Sequence, residues 1–405
     1  MKKIISSVCF IFTLFTISSC AIIQATRPDE SSQMLESAIQ NITMGLMWQV
    51  IKEQGFLAFF KNNKTLIVID PFVNADSGEV LKASADIEKI IVQTGMSNFG
   101  RFDFIRMTYE NLTKADYTMN GAIRLVHPEK TDSGEEYYNI SASVINLKTG
   151  MVVGRSDMSI YDKSLDYTAT SFYKDSPMYI KDAPLEGSIK TSAGSVGAEA
   201  DKDYYDSLSI IAVLVEAETA YEKKDYEGAL RLLKIAADRP DGQLMKTYAG
   251  LYSAYSRLKQ MDMAEKIFTK LLTISVEKNH ILSVKFLFDV DSVAFWRDPS
   301  LKEHYAIWIR QMGTYFNSSD YCLQVIGHCS RSGTERYNEN LSSERAQKIQ
   351  ELLLPYFPLV KKRSEAVGKG YKENIVGSGT DDDRDSIDRR VEFKVIKCKA
   401  AGIGN

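Results

Sequence analysis

Residues 327–349 read GHCSRSGTERYNENLSSERAQKI, which predicts the end of a strand, a glycine-containing loop and the first turns of a helix. Hydrophobic periodicity extends this prediction in both directions. The predicted strands cover 283–292, 321–328, 365–371 and 388–398, and the predicted helices cover 301–316 and 340–357. Their order, β-α-β-α-β-β, predicts an α/β domain over residues 277–400.

This domain resembles the OmpA-like C-terminal domain, a family that binds peptidoglycan. The residues that match the family pattern are Gly327-His328, Gly333, Asn338, Leu341-Ser342, Arg345-Ala346 and Arg389-Arg390-Val391. The resemblance implies that Arg345 clamps a carboxylate of diaminopimelate in the peptidoglycan stem, because a planar guanidinium matches a carboxylate. It also implies that Asn338 supports the loop and that Leu341 and Arg390 belong to the site. Arg389 and Arg390 are weaker candidates, because an arginine at a strand edge is often solvated.

The sequence departs from the family at Ser330, where the family has an aspartate that would take the ammonium of the ligand. A serine hydroxyl supplies no charge, and a lost charge-assisted contact costs about 1.5–3 kcal/mol. Three explanations remain open. Glu335 or Glu344 could supply the charge, the domain could bind weakly and depend on membrane anchoring, or it could be a scaffold that no longer binds the wall.

An aspartate-rich segment, GTDDDRDSIDRR (379–390), precedes the last predicted strand. Carboxylates suit calcium, but the ligand order of an EF-hand is absent, so we expect a solvated loop. The four histidines are scattered and form no zinc spacing. We therefore expect neither a metal nor a cofactor.

The N-terminus is typical of a signal peptide. Lys2 and Lys3 precede the apolar run IISSVCFIFTLFTI, which is too short to span a bilayer. The run leads into TISSC, which resembles the bacterial lipoprotein signal. That resemblance implies removal of residues 1–19, lipidation of Cys20 and a tether over 20–30. Ala21 favours the outer membrane, with the rest of the chain in the periplasm.

Three cysteines remain beyond Cys20 in the mature chain: Cys322, Cys329 and Cys398. The OmpA-like fold implies that Cys322 and Cys398 lie at the same end of neighbouring antiparallel strands, where they could form a disulfide. A nucleophile built from Cys329 and His328 is the alternative use of a free thiol. Adjacent residues on a strand point to opposite faces, which disfavours such a pair.

Residues 31–181 predict an α+β domain. An amphipathic helix over 31–60 precedes a buried strand, TLIVIDPF (65–72), a short helix ended by Gly95, and a hairpin over 137–160. The stretches IVIDPF, ADYTMNGAI and SASVINLKTGMVVG resemble penicillin-binding-protein activator lipoproteins of the LpoB type. That resemblance implies a protein-binding module without catalysis.

The segment between the two domains predicts a linker followed by helices. Residues 182–203 are rich in serine, glycine and alanine and predict a flexible linker. Residues 204–276 contain two helical stretches that align with an offset of 35 residues, which resembles tetratricopeptide repeats. Fewer than three repeats rarely stand alone, so we expect these helices to pack on a neighbouring domain.

A net charge of −3 gives no support for nucleic-acid binding, and no nucleophile elbow, P-loop or dinucleotide fingerprint occurs. The sequence thus favours a multidomain, non-enzymatic envelope lipoprotein joining membrane, wall and protein partners. It could be an accessory or scaffold subunit of a secretion or wall-synthesis machine. The alternative is a simple peptidoglycan tether.

Overall fold

A computed structural model describes residues 34–55, 64–126 and 136–398, apart from 163, 181, 297–298, 376, 378, 380 and 382. The predicted signal peptide, Cys20 and the tether lie outside these residues. Within the described ranges, no helix is long and apolar enough to cross a membrane.

The N-terminal domain is a mixed sheet with helices on both faces. Its elements are α1 (Leu35–Gln54), β1 (Thr65–Ile69), β2 (Val73–Asn74), α2 (Ala83–Asn98), β3 (Phe102–Arg106), α3 (Tyr109–Leu112), β4 (Tyr117–Val126), β5 (Tyr137–Asn146), β6 (Val152–Ile160), α4 (Ser171–Lys174) and α5 (Ala183–Ser192). The strand order is β3-β1-β4-β5-β6, with β2 beside β4. Strand β1 is parallel to both neighbours, and β4, β5 and β6 are antiparallel, so the predicted hairpin over 137–160 is confirmed.

Helix α2 corrects one prediction from the sequence. It continues to Asn98 instead of ending at Gly95, which lies buried inside the helix. A Cβ at position 95 would come within 2.3 Å of the Phe104 ring. The glycine is therefore needed for close packing of the helix on β3, and it does not end the helix.

The predicted flexible linker over 182–203 is wrong. Helix α5 occupies its first half and packs on β4 and β5, where the Asn120 side-chain amide donates to the Ser188 carbonyl at 2.8 Å. Thr191 and Ser192 are buried in this contact. Small side chains let the helix approach the sheet closely, and they also hide the apolar periodicity that would have predicted a packed helix.

Four long helices follow and form two hairpins. The helices after the sheet are α6 (Lys202–Asp206), α7 (Leu208–Glu222), α8 (Tyr226–Ala237), α9 (Met245–Arg257) and α10 (Met261–Asn279). The turns of the two hairpins match: Lys224 and Lys259, 35 residues apart, have φ of 64° and 61°. The next N–H donates to a carbonyl five residues back in both turns, from Asp225 to Ala220 and from Gln260 to Tyr255.

These hairpins pack between the two flanking domains. On one side, the Phe172 ring of α4 is in edge contact with Tyr221 of α7, with ring centroids 5.5 Å apart. On the other side, the Trp308 indole donates to the Tyr252 hydroxyl at 2.7 Å and stacks on Phe268. One of the apolar clusters therefore runs through all three parts of the chain.

The C-terminal domain has the predicted order of strands and long helices. Its elements are β7 (Ile281–Leu282), α11 (Pro299–Asn317), β8 (Tyr321–Gly327), α12 (Glu335–Leu353), α13 (Val360–Arg363), β9 (Ser364–Gly368) and β10 (Val391–Lys397). The sheet order is β7-β10-β8-β9; β8 and β9 are parallel, and β10 is antiparallel to both its neighbours. Cys322 lies opposite Ile396, and Cys322 and Cys398 form a disulfide with a Cα–Cα distance of 4.9 Å.

The predicted strand over 283–292 is wrong: the first strand of this domain, β7, ends at Leu282, before that range begins. The backbone after β7 turns to the N-terminal domain instead of to β10: the Lys285 N–H donates to the Pro177 carbonyl, and the Tyr179 N–H donates to the Ser283 carbonyl, both at 2.9 Å. This exchange of partners joins the C-terminal domain directly to the N-terminal domain.

Candidate ligand-binding loop

The loop between β8 and α12 is fixed from both ends. Helix α12 begins at Glu335, five residues earlier than predicted, because the Thr334 side chain caps it by accepting the Tyr337 N–H at 3.3 Å. Gly333 provides a left-handed turn with φ of 82°. The Asn338 side-chain amide donates to the carbonyls of Ser332 at 2.5 Å and Thr334 at 3.2 Å. Asn338 thus holds the loop from the first turn of the helix.

Arg345 lies in the third turn of α12 with only 1% of its surface exposed. Its Nε donates to the Ser292 carbonyl at 2.9 Å, Nη1 to the His328 carbonyl at 3.0 Å and Nη2 to the Asp289 carbonyl at 2.9 Å. The guanidinium also lies over the Phe288 ring, 5.2 Å from its centroid. Every guanidinium nitrogen therefore contacts the protein itself, and the side chain joins the loop after β7 to the loop after β8.

A carboxylate lies beside Ser330, although the residue at that position is not itself acidic. The Ser330 hydroxyl, 5% exposed, donates to Oδ1 of Asp381. Neither glutamate that we considered stands here: Glu335 pairs with Lys372 at 3.0 Å, and Glu344 is exposed on α12. The acidic group at the position where the family has an aspartate comes from a segment 51 residues further along the chain.

Two carboxylates of the aspartate-rich segment are buried, so the expectation of a solvated loop is wrong for these residues. Asp388 is fully buried and accepts the N–H groups of Ile375 and Gly377, both at 2.6 Å. Asp385 is also fully buried and accepts the N–H of Asp381 at 2.9 Å. Backbone amides thus donate to both buried carboxylates. Among the described residues, no group of His, Cys, Asp or Glu side chains could hold a metal ion.

The arginine pair before β10 is also buried, contrary to the expectation of solvated side chains. Arg389, 1% exposed, donates from Nε to the Phe288 carbonyl at 3.3 Å, and its Nη1 lies 3.5 Å from Oδ1 of Asp381. Its guanidinium lies over the Trp296 ring, 5.5 Å from the centroid. Among the described residues, its Nη2 has no hydrogen-bond partner, and neither has Nη1 of Arg390. The Arg389 donor differs in lying next to an acidic group, Asp381.

Arg390 and Leu341, the other residues named by the resemblance, have different surroundings. Arg390 donates from Nε to the Glu392 carboxylate and from Nη2 to the Glu373 carbonyl, both at 3.2 Å. Leu341 is buried on α12. Neither residue is in hydrogen-bond contact with Ser330 or Asp381.

His328 and Cys329 do not have the properties of a catalytic pair. Burial lowers the pKa of His328 to about 3, assisted by the nearby charge of Arg390, so the imidazole is neutral at pH 7. Burial raises the pKa of Cys329 to about 11, so its sulfur is a thiol and not a thiolate. The Cys329 thiol packs 3.3 Å from Nη1 of Arg345 as part of the interior.

Comparison with known proteins agrees with this part of the fold. Residues 298–388 match the OmpA family. The C-terminal part of the chain is an OmpA-like domain. Over 115 residues the chain is 30% identical to outer membrane porin F of Pseudomonas aeruginosa, an alignment that covers 28% of this chain and 30% of the porin. The chain thus spans less than a third of the length of that relative.

Two solved structures are also similar to this chain. The peptidoglycan-associated lipoprotein from Burkholderia pseudomallei has 22% identity over 27% of this chain and 88% of its own, with a TM-score of 0.24. The cell wall anchor of the T6SS from Pseudomonas aeruginosa has 20% identity over 29% of this chain and 81% of its own, with a TM-score of 0.23.

Proposed function

We propose that this protein is a non-enzymatic lipoprotein that links the outer membrane to peptidoglycan from the periplasmic side. The observation that carries the proposal is the loop after β8, in a segment that matches the OmpA family. It keeps the ordering residue Asn338 and the glycine turn, and it brings an acid and a buried arginine together beside Ser330.

The chemistry of this loop suits a zwitterionic ligand. The free end of diaminopimelate carries an ammonium and a carboxylate a few ångströms apart, so it needs one anionic and one cationic partner at similar spacing. Asp381 and Arg389 have that spacing, with 3.5 Å between Oδ1 and Nη1. A partly buried site strengthens both contacts, because the surrounding dielectric is lower than that of water.

The rest of the chain supports a role beyond a plain tether. We propose that residues 31–181, with the resemblance to LpoB-type activators, and the tetratricopeptide-like helices over 204–276 bind envelope protein partners. The matching turns at Lys224 and Lys259 support the repeat assignment. A tether needs only a lipid and a wall-binding domain, so these two folded units favour an accessory or scaffold subunit of an envelope machine.

The membrane anchor that we propose is lipid on Cys20, argued from the sequence TISSC. One fractionation experiment tests the anchor and the wall contact together. The wild-type protein should be recovered with outer membrane and with peptidoglycan sacculi. Cys20→Ser should leave the membrane fraction but still sediment with purified sacculi. A variant that stays with washed membranes would refute the lipid anchor, and a variant that does not sediment with sacculi would refute wall binding.

A further inference from the structure

We propose that the ligand in this chain is held by Asp381 and Arg389, and that Arg345 is a structural residue beneath them. This inference rests on the proposed function and changes which residues perform it. Asp381 becomes one half of the binding site, and Ser330 becomes the residue that positions its carboxylate.

The cationic end of the ligand is assigned to Asp381. Its side chain is 21% exposed, so a ligand can reach it, whereas Ser330 behind it is 5% exposed. Both side-chain contacts of Asp381 that the described residues provide go to Oδ1, from Ser330 and from Arg389. We assign the ammonium to Oδ2 of the same carboxylate. The backbone of Asp381 is held in place by its hydrogen bond to the buried carboxylate of Asp385.

The anionic end is assigned to Arg389 by comparison with Arg345. Both arginines are 1% exposed. All three guanidinium nitrogens of Arg345 donate to the protein, whereas Nη2 of Arg389 has no partner among the described residues. A buried charged donor without an acceptor is unfavourable, and a carboxylate from a ligand would satisfy it. Arginine binds carboxylates through two neighbouring nitrogens, and Nη2 lies next to the Nη1 that already approaches Asp381.

Trp296 contacts Arg389 and also lines a cavity. The indole ring lies over the guanidinium and also lines a cavity of about 400 Å³ between the N- and C-terminal domains. Ser386 and Ile387, from the same segment as Asp381, line the cavity as well. The cavity therefore lies next to the proposed site, which takes a zwitterionic amino-acid terminus.

The test uses the lipid-free mature chain and a purified muropeptide that ends in free meso-diaminopimelate, titrated by calorimetry at low salt. Asp381→Asn should weaken binding about tenfold or more, as loss of one charge-assisted contact does. Ser330→Asp combined with Asp381→Asn should recover most of that loss, because it returns a carboxylate to the same place. Ser330→Asp alone should not strengthen binding, because it puts a second carboxylate against Asp381.

The contact to the carboxylate of the ligand is tested with Arg389→Lys. This substitution keeps the positive charge but removes the second nitrogen, and it should also weaken binding about tenfold. Matched controls are Asp320→Asn and Arg363→Lys, at the opposite end of β8, where Arg363 donates to the Ser319 carbonyl. Thermal melts establish that each variant is folded. If wild type binds and both site variants bind equally well, this inference is wrong and the proposed function stands. If wild type does not bind, the proposed function itself fails.

Discussion

Replacing Arg345 separates a structural role from a ligand-binding one. Arg345→Met keeps most of the buried volume but removes three hydrogen bonds from a charged donor to the carbonyls of Asp289, Ser292 and His328. At about 1.5–3 kcal/mol for each such bond, their loss sets an upper bound of several kcal/mol. The buried methionine side chain offsets part of this loss of free energy. The three carbonyls that lose their donor offset another part by moving toward water. We therefore expect a net loss of about 3–5 kcal/mol in the free energy of unfolding.

Urea denaturation of the mature chain, followed by tryptophan fluorescence, measures this loss. The matched control is Arg336→Met, an exposed arginine on the same helix, which should change the free energy of unfolding by less than about 0.5 kcal/mol. If Arg345→Met were as stable as this control and yet failed to bind the muropeptide, Arg345 would be the carboxylate clamp that the family resemblance implies. The assignment of a structural role would then be refuted.

Two further predictions concern stability. The disulfide between Cys322 and Cys398 closes a loop with a sequence separation of 76 residues. Its reduction should lower the free energy of unfolding by about 4 kcal/mol. Equal urea midpoints for the oxidised and reduced protein would contradict this. Burial raises the pKa of Asp70 from 3.8 to about 6, so the folded state favours the neutral carboxyl group. The contribution of this group to stability therefore falls as the pH rises from about 4 to about 6. In the Asp70→Asn variant, this decrease in the free energy of unfolding should be absent from measurements between pH 4 and pH 7. If the pH dependence of stability were unchanged in the variant, other groups would be responsible for it.

The sequence predicted the C-terminal fold well because its signals are local. The strand ending at Gly327, the turn at Gly333 and the helix carrying Arg345 occur within a short stretch, where spacing determines structure. In the N-terminal domain, the hydrophobic periodicity of the sequence also predicted an amphipathic helix, and Ile39 and Leu46 on the apolar face of α1 are fully buried. Such patterns involve residues that are close together in the sequence, so they can be recognised without a structure.

The acid at the site could not be predicted in the same way. Asp381 reaches Ser330 across 51 residues, and only the folded segment shows which aspartate arrives there. A run of aspartates is usually solvated, so composition pointed away from the buried carboxylates of Asp385 and Asp388. The orphaned nitrogen of Arg389 likewise depends on what surrounds it in three dimensions.

Errors in the middle of the chain have a related cause. The segment over 182–203 has the composition of a linker, yet its small side chains are what allow α5 to pack on the sheet. The strand over 283–292 was predicted from alternation, and Phe286 and Phe288 are indeed buried. The backbone hydrogen bonds of Ser283 and Lys285 go to the N-terminal domain, whereas the Phe288 N–H donates to the Arg389 carbonyl. A pattern within one segment does not show which partner it will pair with.

The central claim is that the C-terminal domain binds a zwitterionic diaminopimelate end. The most direct measurement compares two muropeptides by calorimetric titration of the wild-type mature chain: one ends in free meso-diaminopimelate, and the other has lysine in its place, which keeps an ammonium but lacks the second carboxylate. We predict saturable binding of the first and binding of the second weaker by about tenfold or more. Equal affinity for both, or no binding to either, would contradict the account.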